Sequence, residues 1–183
     1  VKASSKTNQS VISSYNYSFE NSSVNKFPAG WNGMKNITVQ QYENKNWLAL
    51  TKDGYWYPQQ FNKEISNNFN LSFDIIWNKD IAYNSGLFTV SFSEIPYDKN
   101  ETVAVNKRIN LPNFYLTKNK QQIKMQRKGN ALLVFINDNK EAELENVFLP
   151  SVKYNLYTFS RYKGNNSDNK NDVFYLSNIN TGY

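Results

Sequence analysis

The pattern closest to catalytic chemistry is Glu141-Ala142-Glu143-Leu144-Glu145, three carboxylates at alternate positions. Paired carboxylates carry glycoside hydrolysis, and a retaining pair must approach within about 5–5.5 Å. Residues four apart on a regular strand do not come that close without a bulge. The segment follows the turn signal Asn137-Asp138-Asn139-Lys140. Two-residue periodicity therefore makes it the return strand of a hairpin, with solvated glutamates and with Ala142 and Leu144 inward. A solvated strand face is the preferred reading. The alternative is a carbohydrate-active enzyme, a glucanase or sugar hydrolase using paired carboxylates.

Aromatic rings beside amides form the second candidate. Tyr55-Trp56-Tyr57, set between Asp53-Gly54 and Pro58, places Trp56 on one face of a strand and the tyrosines on the other. An exposed ring stacks on the apolar face of a pyranose while amides bond its hydroxyls. Tyr83-Asn84 and Tyr97-Asp98 offer similar loop chemistry. The candidate carbohydrate-binding residues are therefore Tyr55, Trp56, Tyr57, Tyr83 and Asn84. Trp31, Trp47 and Trp77 are expected in the core.

Two further patterns carry charge. Lys118, Lys120, Lys124 and Lys128 share one parity and alternate with Gln122 and Gln126, so one strand face is basic. Such a stripe could follow an anionic chain, but a solvated face that discourages edge pairing is the simpler reading. No nucleic-acid partner is expected. Gly164-Asn165-Asn166-Ser167-Asp168-Asn169-Lys170-Asn171-Asp172 is rich in oxygen ligands of the kind calcium takes. It lacks the glycine and glutamate of an EF-hand and reads as a hairpin tip. No cofactor is expected, calcium being the one metal weighed.

Composition narrows the rest. The 183 residues contain no histidine and no cysteine, which excludes Ser-His-Asp and Cys-His catalysis, Cys/His zinc sites and disulfides. The net charge is +6, modest enough for solubility alone to explain it. Asparagine is abundant, and so are the aromatics, with 12 Phe, 13 Tyr and 4 Trp. That ring content offsets the ordering entropy of a folded core. No apolar run approaches the roughly 18–20 residues of a membrane span.

The elements that must position these residues alternate at period two. Phe69, Leu71, Phe73, Ile75 and Trp77 share one face, with Asn70, Ser72 and Asp74 on the other. Phe88, Val90 and Phe92, then Ile123 and Met125, repeat the pattern. Ala131–Asn137 is apolar on both faces, as expected of a central strand. Turn signals (Asn32-Gly33, Asp53-Gly54, Gly129-Asn130, Asp138-Asn139 and Gly164-Asn165) separate the segments, and all five prolines fall in gaps. Only residues 62–68 suggest a helical turn. The expectation is one all-β domain, a two-sheet antiparallel jelly-roll sandwich over 15–180. Residues 1–14 read as a flexible tail and 181–183 as the start of a linker.

Several strings resemble concanavalin A-like (laminin-G-like) jelly rolls. They are Tyr17-Ser18-Phe19-Glu20, Phe27-Pro28-Ala29-Gly30-Trp31 and Trp47-Leu48-Ala49-Leu50, then Phe69-Asn70-Leu71-Ser72-Phe73-Asp74. Leu133-Val134-Phe135-Ile136-Asn137-Asp138-Asn139-Lys140 and Val173-Phe174-Tyr175-Leu176-Ser177-Asn178-Ile179 complete the series. The ensemble is most similar to the jelly-roll region that precedes the peptidoglycan-binding domain in Bacteroidetes OmpA-family proteins. The resemblance implies a non-catalytic binding or spacer module of a bacterial cell-envelope protein, contacting glycan or another envelope protein. It also implies a periplasmic, outer-membrane-associated or cell-surface location, and a chain that is part of a longer protein.

Overall fold

The computed structural model describes residues 14–59, 64–78, 87–94, 107–111, 117–162 and 173–182. In chain order the strands are β1 (Tyr15–Tyr17), β2 (Trp31–Gly33), β3 (Thr38–Tyr42), β4 (Lys45–Leu50), β5 (Gly54–Pro58) and β6 (Asn70–Trp77). There follow β7 (Leu87–Ser93), β8 (Lys107–Leu111), β9 (Gln121–Lys128), β10 (Ala131–Ile136), β11 (Asn139–Leu144), β12 (Leu156–Tyr162) and β13 (Phe174–Gly182). Among the described residues no helix is long and apolar enough to cross a membrane.

The strands form two antiparallel sheets. The large sheet runs β11-β10-β9-β6-β13-β4-β3, with β1 also paired to β13, and the small sheet runs β2-β5-β12-β7-β8. Alternation decides which side each residue faces. Phe69, Leu71, Phe73, Ile75 and Trp77 are all buried on the inner face of the large sheet, as are Ile123 and Met125. Phe88, Val90 and Phe92 answer them from the small sheet. The Phe73 and Phe159 rings meet edge to face with centroids 5.1 Å apart, and Trp31 stacks on Phe159 at 6.1 Å. Rings at these distances add attraction beyond the area they bury.

One core residue has no apolar rationale. Arg161, on the inner face of β12, is 1% exposed. Its guanidinium donates to the Leu50 carbonyl of the other sheet at 3.0 Å and lies 6.0 Å from the Phe174 ring centre. A charge-assisted bond of this kind ties the two layers together where a shorter side chain would not reach.

Turn chemistry sets the hairpins. Asn137 and Asp138, at φ 49° and 65°, form the two-residue turn of β10–β11. It lies one residue earlier than Asp138-Asn139. Glu43 and Asn44, at φ 48° and 60°, make the same kind of turn between β3 and β4, where glutamate gave no signal. Gly33 lies inside β2 at φ 116°, and a Cβ there would sit 2.1 Å from the Tyr55 carbonyl oxygen. Only glycine allows that approach. Pro58 is the last residue of β5 and not in a gap, which a strand end tolerates.

Two other expectations change. Ala131–Ile136 is second from the edge of its sheet, not central, so Leu133 and Phe135 are half-buried on the outer face. β13 continues through Gly182, with Thr181 buried and paired to Tyr15 and Leu71, so residues 181 and 182 are strand where a linker was expected.

Candidate functional site

The sequence-selected rings separate. Trp56 is fully buried in the core, and its indole N–H donates to the Met34 carbonyl at 2.7 Å. It is therefore a core residue and not a sugar platform. Tyr55 and Tyr57 are half-buried on the outer face of the small sheet. Tyr57 is paired in register with Asn32, whose amide oxygen accepts from Gln59 at 2.9 Å. Tyr55 is paired with Ser160, and the same face continues through Thr158, Ser91 and Thr89, all buried. Tyr83, Asn84, Tyr97, Asp98 and the oxygen-rich segment 164–172 lie outside the described residues. Among the described residues no three His, Cys, Asp or Glu side chains are placed to hold a metal ion.

The glutamate series falls on the edge of the large sheet. Val134 pairs with Ala142 and Phe135 with Lys140, so Glu141 is the extra residue of a bulge. A bulge is what a carboxylate pair four residues apart would need, yet all three glutamates are exposed here. Glu143 is bound to Lys140, whose ammonium holds the carboxyl below the usual carboxylate range. Ala142 and Leu144 pack against the core, as period two requires.

A third arrangement emerges from strand register on the outer face of the large sheet. Asn16 of β1 is opposite Asn180 of β13, and Asn180 is opposite Ser72 of β6. Ser72 is opposite Lys124 of β9, Lys124 opposite Phe135 of β10, and Phe135 opposite Lys140 of β11. This single row crosses the sheet in five inter-strand steps of ~4.8 Å, about 24 Å in all. Every member is half-buried or exposed. Gln122, Gln126 and Asn70 flank it on the neighbouring rows of β9 and β6.

One side of the row is fixed by a buried carboxylate. Asp74, 3% exposed, accepts from the Asn178 amide at 2.7 Å and from the Lys120 ammonium at 3.5 Å. Asn178 reaches it because β13 carries an extra residue between Ser177 and Asn180, with Asn178 itself at φ 48°. Asparagine tolerates that conformation better than most residues, and the bulge re-aims its side chain. Beyond Asp74 the outer face closes into a small apolar cluster of Trp47, Ala49, Ile76 and Tyr175. Tyr42 stacks on Tyr175 with ring centroids 4.5 Å apart. Burial, and then the neighbouring Tyr42, push the Tyr175 phenol above its ordinary value.

Of this row, the sequence pattern singles out only Lys124, as part of a basic stripe. Phe135 carries no such signal, because a two-faced apolar strand looks central. The one available signal was the polar hairpin next to it, since a strand joined to a charged partner such as β11 lies near an edge.

No protein-family model matches the chain. No curated protein matches it by sequence. Solved structures do match in fold. The carbohydrate recognition domain of Emp47p is 12% identical at a TM-score of 0.64, over 96% of this chain and 98% of that one. A structure described with endo-acting O-glycanases of the human gut microbiota that initiate mucin breakdown is 12% identical at 0.59, over 92% and 98%. A sialidase is 10% identical at 0.59 over 92% of this chain, which spans only 18% of that protein. At these identities the similarity establishes the fold, a lectin-like jelly-roll sandwich of the concanavalin type.

Proposed function

We propose that this domain is a non-catalytic glycan-binding module, and that a glycan chain lies along the row from Asn16 to Lys140. The observation that carries the proposal is the row itself, a file of amide, hydroxyl, ammonium and ring groups across the large sheet. Phe135 supplies the apolar surface for a sugar face, and Asn180, Ser72 and Lys124 supply hydroxyl-directed donors and acceptors. Matches in fold to a carbohydrate recognition domain and a sialidase support this class of ligand. The non-catalytic part rests on the carboxylates: Asp74 is engaged by Asn178 and Lys120, and the glutamates of β11 are exposed on an edge strand. Placement in a bacterial envelope protein is proposed on the sequence resemblance alone.

Binding to an array of bacterial and host glycans, followed by calorimetry on the strongest hit, tests this reading. Phe135→Ala should lower that affinity about tenfold or more, since the ring is the row's one stacking surface. Absence of binding across the array, or unchanged affinity in Phe135→Ala, sinks the proposed site. Release of reducing ends from the bound glycan overturns the non-catalytic part.

A further inference from the structure

The row's charges are compensated unevenly. Asp74 is taken by Lys120 and Asn178, and Glu143 by Lys140. Lys124, half-buried at the middle of the row, forms no ion pair among the described residues, and its ammonium lies 5.8 Å from the Phe135 ring centre. Its register neighbours are the neutral Ser72 and Phe135, and its neighbours along the strand are Gln122 and Gln126. Partly desolvating an ammonium without a counter-charge is unfavourable, and an incoming anion would relieve that cost.

Resting on the reading that this row binds glycan, we infer that its ligand carries a carboxylate on the sugar seated at Phe135, and that Lys124 pairs with it. The ring takes the apolar face of that sugar and the ammonium its acid group. The neighbouring anions are already committed, so they repel the ligand less than bare carboxylates would. Among the described residues Lys124 is the row's one cation without an ion pair, which also separates this site from nucleic-acid binding, where several phosphates are neutralised at once. The logarithm of affinity should therefore fall with the logarithm of salt at a slope of about 1 or less, against several for a phosphate-tracking surface.

The test uses matched pairs: polygalacturonate, hyaluronan and polysialic acid, each against its methyl ester, by calorimetry at graded salt. At least one acid should bind about tenfold more tightly than its ester, as a charge-assisted bond warrants. Lys124→Gln should erase that preference, whereas Lys128→Gln on the same strand should keep it. Equal affinity for acid and ester overturns this inference and leaves the glycan site standing. If all six polymers fail to bind and the glycan array is also blank, both fall. Equal losses in the two lysine variants, or duplex DNA binding as tightly with a slope of several, identify general polyanion attraction and overturn it as well.

Discussion

The two sheets bury their inner faces in the same way but present different outer faces. On the small sheet the outward positions of β7 and β12 include Thr89, Ser91, Ser93, Leu156, Thr158 and Ser160, all buried, with Tyr162 half-buried beside Tyr55 and Tyr57 of β5. On the large sheet the outward row is Asn180, Ser72, Lys124 and Phe135, all half-buried. Both faces mix polar with apolar residues, the large sheet's carrying the cluster of Trp47, Ala49, Ile76 and Tyr175 as well as the row. What separates them is access: the hydroxyls of β7 and β12 are covered, whereas Ser72, no longer than they are, keeps part of its surface open beside the amide, ammonium and ring of the row. The comparison teaches that a sheet face becomes a candidate site when its polar side chains stay accessible, and not merely because they are polar.

Variants that unfold one face and spare the other test this contrast. The largest expected effect is Trp56→Ala, which removes a fully buried ring from beneath the small sheet. It should cost about 3–5 kcal/mol in urea unfolding. Asp74→Ala should cost about 1–3 kcal/mol by removing the hydrogen bonds that this buried, charged acceptor receives from Asn178 and Lys120. It should also weaken glycan binding, because Asn178 loses its anchor. If Asp74→Ala leaves both unchanged, Asp74 does not organise the row.

A pH titration gives a smaller effect with a defined sign. Burial raises the phenols of Tyr15, Tyr17 and Tyr175 above their ordinary value. The folded state therefore retains protons that the unfolded chain releases near pH 10. The stability these groups contribute is complete below that pH and declines as pH rises above it. The melting temperature should thus begin to fall above about pH 10. Replacing Tyr175 by Phe should blunt the fall, and an identical profile in that variant would remove Tyr175 from the account. Smallest of all is Glu141→Gln. It should leave melting temperature and glycan binding unchanged, since this exposed bulge residue belongs to neither face. A change in binding would bring the edge strand into the site.

Much of the sandwich was legible because alternation is a local property. Phe69 to Trp77, Phe88 to Phe92, and Ile123 with Met125 face the core as their parity predicts. The candidate site was far less legible. The pattern around Tyr55, Trp56 and Tyr57 identified the two opposite faces of β5 but not which one faced the core. Phe135 was hidden because hydrophobicity along one strand says nothing about how many strands lie beside it. Arg161 gave no sign of burial, since a charged side chain in sequence carries no record of the carbonyl that will receive it.

The sequence by itself determined the all-β class, the inward face of most strands, and the exclusion of histidine and cysteine chemistry. Those follow from residue type and from neighbours two positions away. Only the tertiary structure decided that Asn16, Asn180, Ser72, Lys124, Phe135 and Lys140 share one row. It alone brought Asn178 to Asp74. Such alignments depend on strand order, register and the placement of bulges. These are set by hydrogen bonding between segments far apart in the chain, which no local pattern encodes.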